Sequence, residues 1–271
     1  SDPFSQLALS AIASRGVRTD AVVHSDSGQL GLAFLEYLPT GRNYTYYRDG
    51  SVGSQLRPEE LPEAAFTGAS ILHLPGMLLE LNDSMRQSCF RAVELAKQNH
   101  VLFSFDPNLR KELRNDAQMR QRMMQMLSMA DVIEPTLDEA RIITGCTEIS
   151  DVLRALHAAG PRLVVLTRDK DGALFSFDGQ ILSAEGIDVP VVDPTGAGDT
   201  FAAALACCIE ENMQMEAAIA FCNCAGTLVC TKRGAIGMAR GTDKNSGTCQ
   251  FFGHDALASR PPARGVSAII V

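Results

Sequence analysis

Asp193-Pro194-Thr195-Gly196-Ala197-Gly198-Asp199-Thr200-Phe201 is the stretch that decides how this chain reads. It lies between a β-branched run, Val189 to Val192, and an alanine-rich helical pattern, Phe201 to Ile209. That layout predicts a strand, a glycine turn and a helix N-terminus. Gly196 and Gly198 let the main chain approach a ligand closely, and the first amides of a helix have no partner inside it. With the positive end of the helix dipole behind them, the amides of Gly196, Ala197 and Gly198 form a nest suited to a phosphoryl group. A carboxylate in the same nest repels an anion, so Asp199 requires a role of its own. As a base that takes a proton from an attacking hydroxyl, it completes a site for phosphoryl transfer to an alcohol. As a first-turn acid it would only complement the helix dipole.

The rest of the chain alternates strand and helix patterns. Phe4, Leu7, Ala8, Ala11 and Ile12 recur at helical spacing before Gly16. Short β-prone runs (Ala21 to His24, Gly31 to Tyr37, Asn43 to Tyr47) separated by turn residues predict a small antiparallel sheet. Beyond it, Ser70 to Leu74, Val101 to Phe105, Val132 to Glu134 and Leu163 to Thr167 read as buried strands. Helical stretches follow, with Asp83 as the expected cap of one and Thr136 with Glu139 as a capping box on another. Ala173 to Ser176 and Ile181 to Ala184 suggest a hairpin. The expected fold is therefore α/β: a mainly parallel sheet with helices on both faces, plus a small antiparallel β lid. Ligands in such sheets gather at the carboxyl ends of the strands. Asp106, Thr136, Thr167 and the 193–199 turn all stand just past a strand end. We expect residues 1–20 and 52–237 to form the core, 21–51 the lid, and 238–271 an irregular tail.

Composition narrows the function classes. The chain has 271 residues, 46% of them hydrophobic, enough to bury one sizeable core. A net charge of −8 argues against a nucleic-acid partner, which needs a basic face. No apolar run reaches the roughly 18 residues of a membrane span, so no membrane partner is expected. The eight cysteines show neither CxxC pairs nor zinc spacing. Together with a start that lacks a basic segment before an apolar core, they predict free thiols in a cytoplasmic protein. Neither GxxxxGK[ST] nor GxSxG occurs, so the P-loop and α/β-hydrolase readings lose support.

The 193–201 stretch resembles the second signature of the ribokinase-like (PfkB) carbohydrate kinases. Other segments agree with it in order. Tyr46-Tyr47-Arg48-Asp49-Gly50-Ser51 and Phe105-Asp106-Pro107-Asn108-Leu109-Arg110 are similar to the sugar-acid branch, the 2-keto-3-deoxygluconate kinases. Leu166 to Ala173 resembles the segment beside the nucleotide phosphates. Cys222-Asn223-Cys224-Ala225 and Gly234-Ala235-Ile236 fall where the family encloses adenine. The resemblance covers roughly residues 1 to 237. It begins, at Ser1-Asp2-Pro3-Phe4, after the family's first strands and Gly-Gly…Asn element, so an N-terminally truncated member with a non-family tail is expected.

The resemblance implies ATP and Mg2+, with a monovalent cation near the anion hole, and a sugar or sugar acid as acceptor. Tyr46, Arg48, Asp106 and Arg110 would bind the acceptor, the arginines because their planar fork matches a carboxylate. Asp106 reads equally as the cap of its own turn. Thr167 and Gly172 would flank the phosphate tail, and Asn223 and Gly234 the adenine. Glu139 matches an acid that helps hold magnesium through water, although its capping box with Thr136 explains it as well; Thr136 stands where the family has asparagine. Asp193 would face the monovalent cation or end its strand. Ala33 stands where the sugar-acid branch often has tyrosine. A homodimer through the lid is a further implication. Fructokinase-like or ribokinase-like chemistry is the alternative within the class, and an inactive member that binds nucleotide or a partner without turnover is the alternative outside it.

Overall fold

The computed structural model describes residues 2–38, 41–109, 117–234 and 268–270. Helix α1 (Pro3–Ala13) comes first, its N-terminus held by Asp2, whose side chain accepts from the amides of Phe4 and Ser5. The lid follows as a hairpin, β1 (Leu32–Leu38) with β2 (Gly41–Tyr47). The expected strand Ala21–His24 is not formed. That segment is irregular, Val22 and Val23 are exposed, and a four-residue run without a pairing partner does not hold a strand on propensity alone.

Among the described residues the main sheet has seven strands, in the order β8-β7-β6-β5-β4-β3-β9. The parallel part comprises β3 (Ile71–Pro75), β4 (Leu102–Asp106), β5 (Val132–Ile133) and β6 (Leu163–Thr167). The antiparallel hairpin β7 (Ala173–Phe177) and β8 (Gln180–Ala184) extends one side. At the other edge β9 (Ala268–Ile270), from the stretch expected to be irregular, pairs parallel with β3. Between the strands run α2 (Asp83–Gln98), α3 (Ala117–Leu127), α4 (Leu137–Thr144) and α5 (Ile149–Ala159). The chain then forms α6 (Ala197–Glu210) and α7 (Met215–Val229).

Local chemistry sets these boundaries. Asn82, not Asp83, caps α2 by accepting from the Met85 amide at 2.9 Å. The expected capping box is present on α4: Glu139 N donates to Thr136 Oγ1 at 3.2 Å, and Thr136 N to Glu139 Oε2 at 2.8 Å. Gly145 ends that helix at φ 71°, a left-handed position that glycine adopts without strain.

Helices cover both sheet faces, so the central strands are apolar on both sides rather than alternating. Leu72, Leu74, Phe103, Phe105, Ile133, Val164 and Leu166 join one core layer, which α2, α3 and α5 complete with Val93, Met123 and Leu156. Val132, Leu163, Val165 and Phe175 face the other way, against Phe201, Leu205, Ile219 and Cys222 of α6 and α7. Side chains alternate along a strand, so His73, Ser104, Asp106, Glu134 and Thr167 fall on that second face. There the sheet's carboxyl ends meet the start of α6.

Candidate active site

The 193–200 segment forms a turn and a helix start, but the stretch before it is not a strand. Val191 and Val192 are exposed, and the amides of Val192 and Asp193 both donate to Cys230 O, at 2.8 and 3.1 Å. The turn is thus anchored to the end of α7, not to a sheet ladder. Gly196 caps α6 at φ 86°, and its carbonyl accepts from Thr200 N at 2.9 Å. Ala197 N donates to Pro194 O at 3.2 Å, so this amide is engaged inside the turn. The amides of Gly196, Gly198 and Asp199 have no acceptor among the described residues. A Cβ added to Gly198 would meet nothing within 4 Å, so the space beside Gly198 is open. Asp199 lies in the same first turn and is exposed.

Beneath it lies a set of acids. Ser104 Oγ donates to Glu134 Oε1 at 2.9 Å, and His73 Nδ1 stands 3.1 Å from that hydroxyl and 3.3 Å from Glu134 Oε1. Burial pushes the Glu134 carboxyl up to about 7, with the Ser104 hydroxyl opposing and the charge of Asp199 adding. Burial, and then Glu134 and Glu139, hold Asp106 well above the usual carboxylate range. Burial also holds His73 below the ordinary histidine value, against the pull of Asp199. Protons retained on Asp106 and Glu134, beside a neutral His73, lower the negative charge that an incoming phosphate meets there. Asp106 Oδ1 also accepts from Asn108 N at 3.0 Å, the turn-capping role.

Glu139 is buried and bonded at both oxygens: Oε1 accepts from Leu109 N at 2.7 Å, Oε2 from Thr136. It therefore fastens the Asp106–Leu109 turn to α4. Among the described residues no group of three or more His, Cys, Asp or Glu could hold a metal ion by itself.

The lid presents one face to the turn. Cross-strand partners share a side, so the pairs Leu35↔Tyr44 and Ala33↔Tyr46 place Ala33, Leu35 and Tyr37 with Tyr44, Tyr46 and, by alternation, Arg48. Tyr37 OH donates to Asp193 Oδ2 at 2.6 Å, and Tyr44 OH lies 3.4 Å from Thr195 Oγ1. The Tyr44 and Tyr46 rings stack at 6.0 Å, and the Arg48 guanidinium sits 4.7 Å above Tyr46. Two predicted acceptor residues, Tyr46 and Arg48, are therefore on the lid face that meets the turn. Arg110 lies outside the described residues.

Of the residues expected to border a nucleotide, Thr167 ends β6, bridged to Thr136, with its amide donating to Pro135 O at 3.1 Å. Gly172 sits at φ 85° and ψ −138°, and a Cβ there would come 2.0 Å from Ala184 O. Its glycine is therefore required by the fold. Asn223 is buried and donates to Glu185 O at 2.7 Å, and Gly234 N donates to Asp193 Oδ2 at 3.0 Å. Ala235 and Ile236 lie outside the described residues. Sequence reasoning did not single out Tyr37, Ser104, His73 or Glu134. A carboxylate directly after the apolar pair Val132-Ile133 was the one visible signal for the last of these.

Comparison with known proteins places the chain in a family. The family model described as pfkB family carbohydrate kinase matches residues 1–240. Fructokinase-1 of Oryza sativa subsp. japonica is 29% identical over 250 residues, spanning 87% of this chain and 76% of that protein. An E. coli protein provisionally named ribokinase II, solved in complex with ATP and Mg2+, has a TM-score of 0.82 at 25% identity. The match covers 87% of this chain and 76% of that one. The 2-dehydro-3-deoxygluconokinase of Thermotoga maritima shares the fold, with a TM-score of 0.79 at 20% identity over 87% and 77% of the two chains. No helix among the described residues is long and apolar enough to cross a membrane.

Proposed function

The chain belongs to the pfkB family of carbohydrate kinases, and from that premise we propose that it transfers the γ-phosphoryl group of ATP to a hydroxyl of a sugar acid, 2-keto-3-deoxygluconate or a close analogue. One observation carries the reading. The amides of Gly196, Gly198 and Asp199, without an acceptor among the described residues, stand in one turn with the Asp199 carboxylate, and the hairpin face bearing Tyr46 and Arg48 meets that turn through Tyr37 and Tyr44.

In this reading Asp199 takes the proton from the acceptor hydroxyl. The amides at the start of α6 hold the transferring phosphoryl group, where their dipoles need no rearrangement as charge shifts. Thr167 and the Gly172 turn border the phosphate tail, and the segment carrying Asn223 and Gly234 borders the adenine. Magnesium, when bound, neutralises phosphate charge. Carboxylate oxygens suit that ion, and with no preformed cage among the described residues it would be held mainly by phosphate and water, with Glu139 in the outer layer. Both Asp193 carboxylate oxygens already accept two hydrogen bonds each, so a monovalent cation near the turn would be held by other oxygens than these.

The acceptor class follows from Arg48. Its guanidinium stacks on Tyr46 with its planar fork available for a carboxylate, whereas a neutral sugar needs no fixed cation. Fructokinase relatives favour a second acceptor, fructose, within the same chemistry. The opposite lid face, with Phe34 and Tyr47 in edge-to-face contact at 5.6 Å and both exposed, would join two copies.

The test is ADP release by the full chain with Mg-ATP and, in turn, 2-keto-3-deoxygluconate, gluconate, fructose and ribose. The expected result is turnover highest on the keto sugar acid, with its KM raised about 10- to 100-fold in Arg48→Gln, the loss of one charge-assisted pair. Preference for fructose, indifferent to Arg48, would move the assignment to fructokinase. ATP binding without turnover on any sugar would identify an inactive member.

A further inference from the structure

Asp193 accepts hydrogen bonds at both carboxylate oxygens, and its partners come from separate parts of the chain. Oδ1 accepts from Thr195 N at 3.0 Å and Thr195 Oγ1 at 2.7 Å, inside the turn. Oδ2 accepts from Gly234 N at 3.0 Å, beyond α7, and from Tyr37 OH at 2.6 Å, in the lid. Asp193 is only 1% exposed, whereas Tyr37 is 44% exposed, so a buried anchor reaches a surface element. The Arg233 guanidinium lies 5.0 Å from the centre of the Tyr37 ring, and Tyr44 adds its contact to Thr195 from the same lid face. Burial disfavours the Asp193 anion, but the bonds from Thr195, Tyr37 and Gly234 outweigh it and hold the carboxyl well below its usual range. A short bond from a neutral hydroxyl to a fixed anion is among the stronger hydrogen bonds available to a hairpin.

We propose that Tyr37 is a positioning residue that tethers the lid to the turn before α6, so that lid closure and the placement of the 196–199 amides are coupled through Asp193. Asp193 is three residues upstream of Gly196 on a short, anchored turn. A lid that moves away removes one of the bonds fixing its carboxylate, and a lid that closes restores it. The contact joins the element carrying the acceptor residues directly to the element that would hold the phosphoryl group. Its consequence for turnover rests on the kinase reading above; the tether itself does not.

Amide hydrogen exchange on the full chain decides it, comparing wild type with Tyr37→Phe, which keeps the ring under Arg233. Without ligand, the lid amides of residues 32–47 are expected to exchange about three- to tenfold faster in the variant, as loss of a partly exposed charge-assisted bond predicts, while residues 197–229 stay protected. Tyr47→Phe, on the opposite lid face, is expected to leave lid exchange unchanged. With ADP and Mg2+ added, the lid slows in wild type and not in Tyr37→Phe, and kcat falls in the variant more than KM for ATP rises. Equal lid exchange in wild type and Tyr37→Phe would overturn the tether, as would an equal effect of Tyr47→Phe. If neither protein binds ADP, the kinase reading fails, and the ligand-free comparison still decides for or against the tether.

Discussion

Asp199→Asn is expected to lower kcat by about 10²–10⁴-fold, the usual range for removal of a general base, while leaving nucleotide affinity equal or slightly higher. Asparagine keeps the shape and place of the side chain in the first turn of α6 but cannot accept the hydroxyl proton. Removing a negative charge beside bound phosphates also relieves repulsion, so binding should not suffer. The competing explanation, an acid that only complements the helix dipole, predicts something different. Its loss would cost roughly 0.3–1 kcal/mol of stability and leave turnover almost untouched. Steady-state ADP release, ADP titration calorimetry and a thermal melt separate the two. A variant that melts lower yet turns over at the wild-type rate would return Asp199 to a helix-start role.

Gly172→Ala should be the most destabilising of the glycine substitutions in the site. The backbone there, at φ 85° and ψ −138°, is one that side-chain-bearing residues rarely adopt. The added methyl would also meet main-chain atoms, Ala184 O at 2.0 Å and Glu185 C at 2.7 Å, which cannot rotate away. Strain and forced backbone movement together point to a loss of about 3–5 kcal/mol, or a melting temperature lower by on the order of 10 °C for a chain of this size. Gly198→Ala supplies the contrast. Its methyl meets nothing within 4 Å, so its melt should match wild type or exceed it slightly through helix propensity. If the two variants melt alike, the distinction between a glycine the fold requires and one the ligand requires is wrong.

These two glycines show where the sequence was readable. Strands β3, β4 and β6 announced themselves as short apolar runs because both their faces are covered, and the Thr136–Glu139 capping box was visible because its bonds span only three residues. The glycine turn and helix start at 196–199 were legible for the same local reason. What failed was whatever depended on a distant partner. Val189–Val192 has strand chemistry, but its amides at 192 and 193 find Cys230 O instead of a neighbouring strand. Ala21–His24 likewise has no strand to pair with. Ala197 was expected to offer its amide, and the turn closes on Pro194 instead. Tyr37 gave no signal at all, since its partner is 156 residues away. Glu134 looked like the end of a strand until Ser104 and His73 arrived beside it from β4 and β3.

The measurement closest to the central claim is the proton–nitrogen amide spectrum of the full chain as ADP, Mg2+ and aluminium fluoride are added, the fluoride standing for the phosphoryl group in transfer. If the start of α6 grips that group, the amide protons of Gly196, Gly198 and Asp199 move downfield and exchange more slowly, while that of Ala197, already bonded to Pro194, changes less. ADP bound elsewhere in the crevice, with those three amides unmoved, would contradict the account.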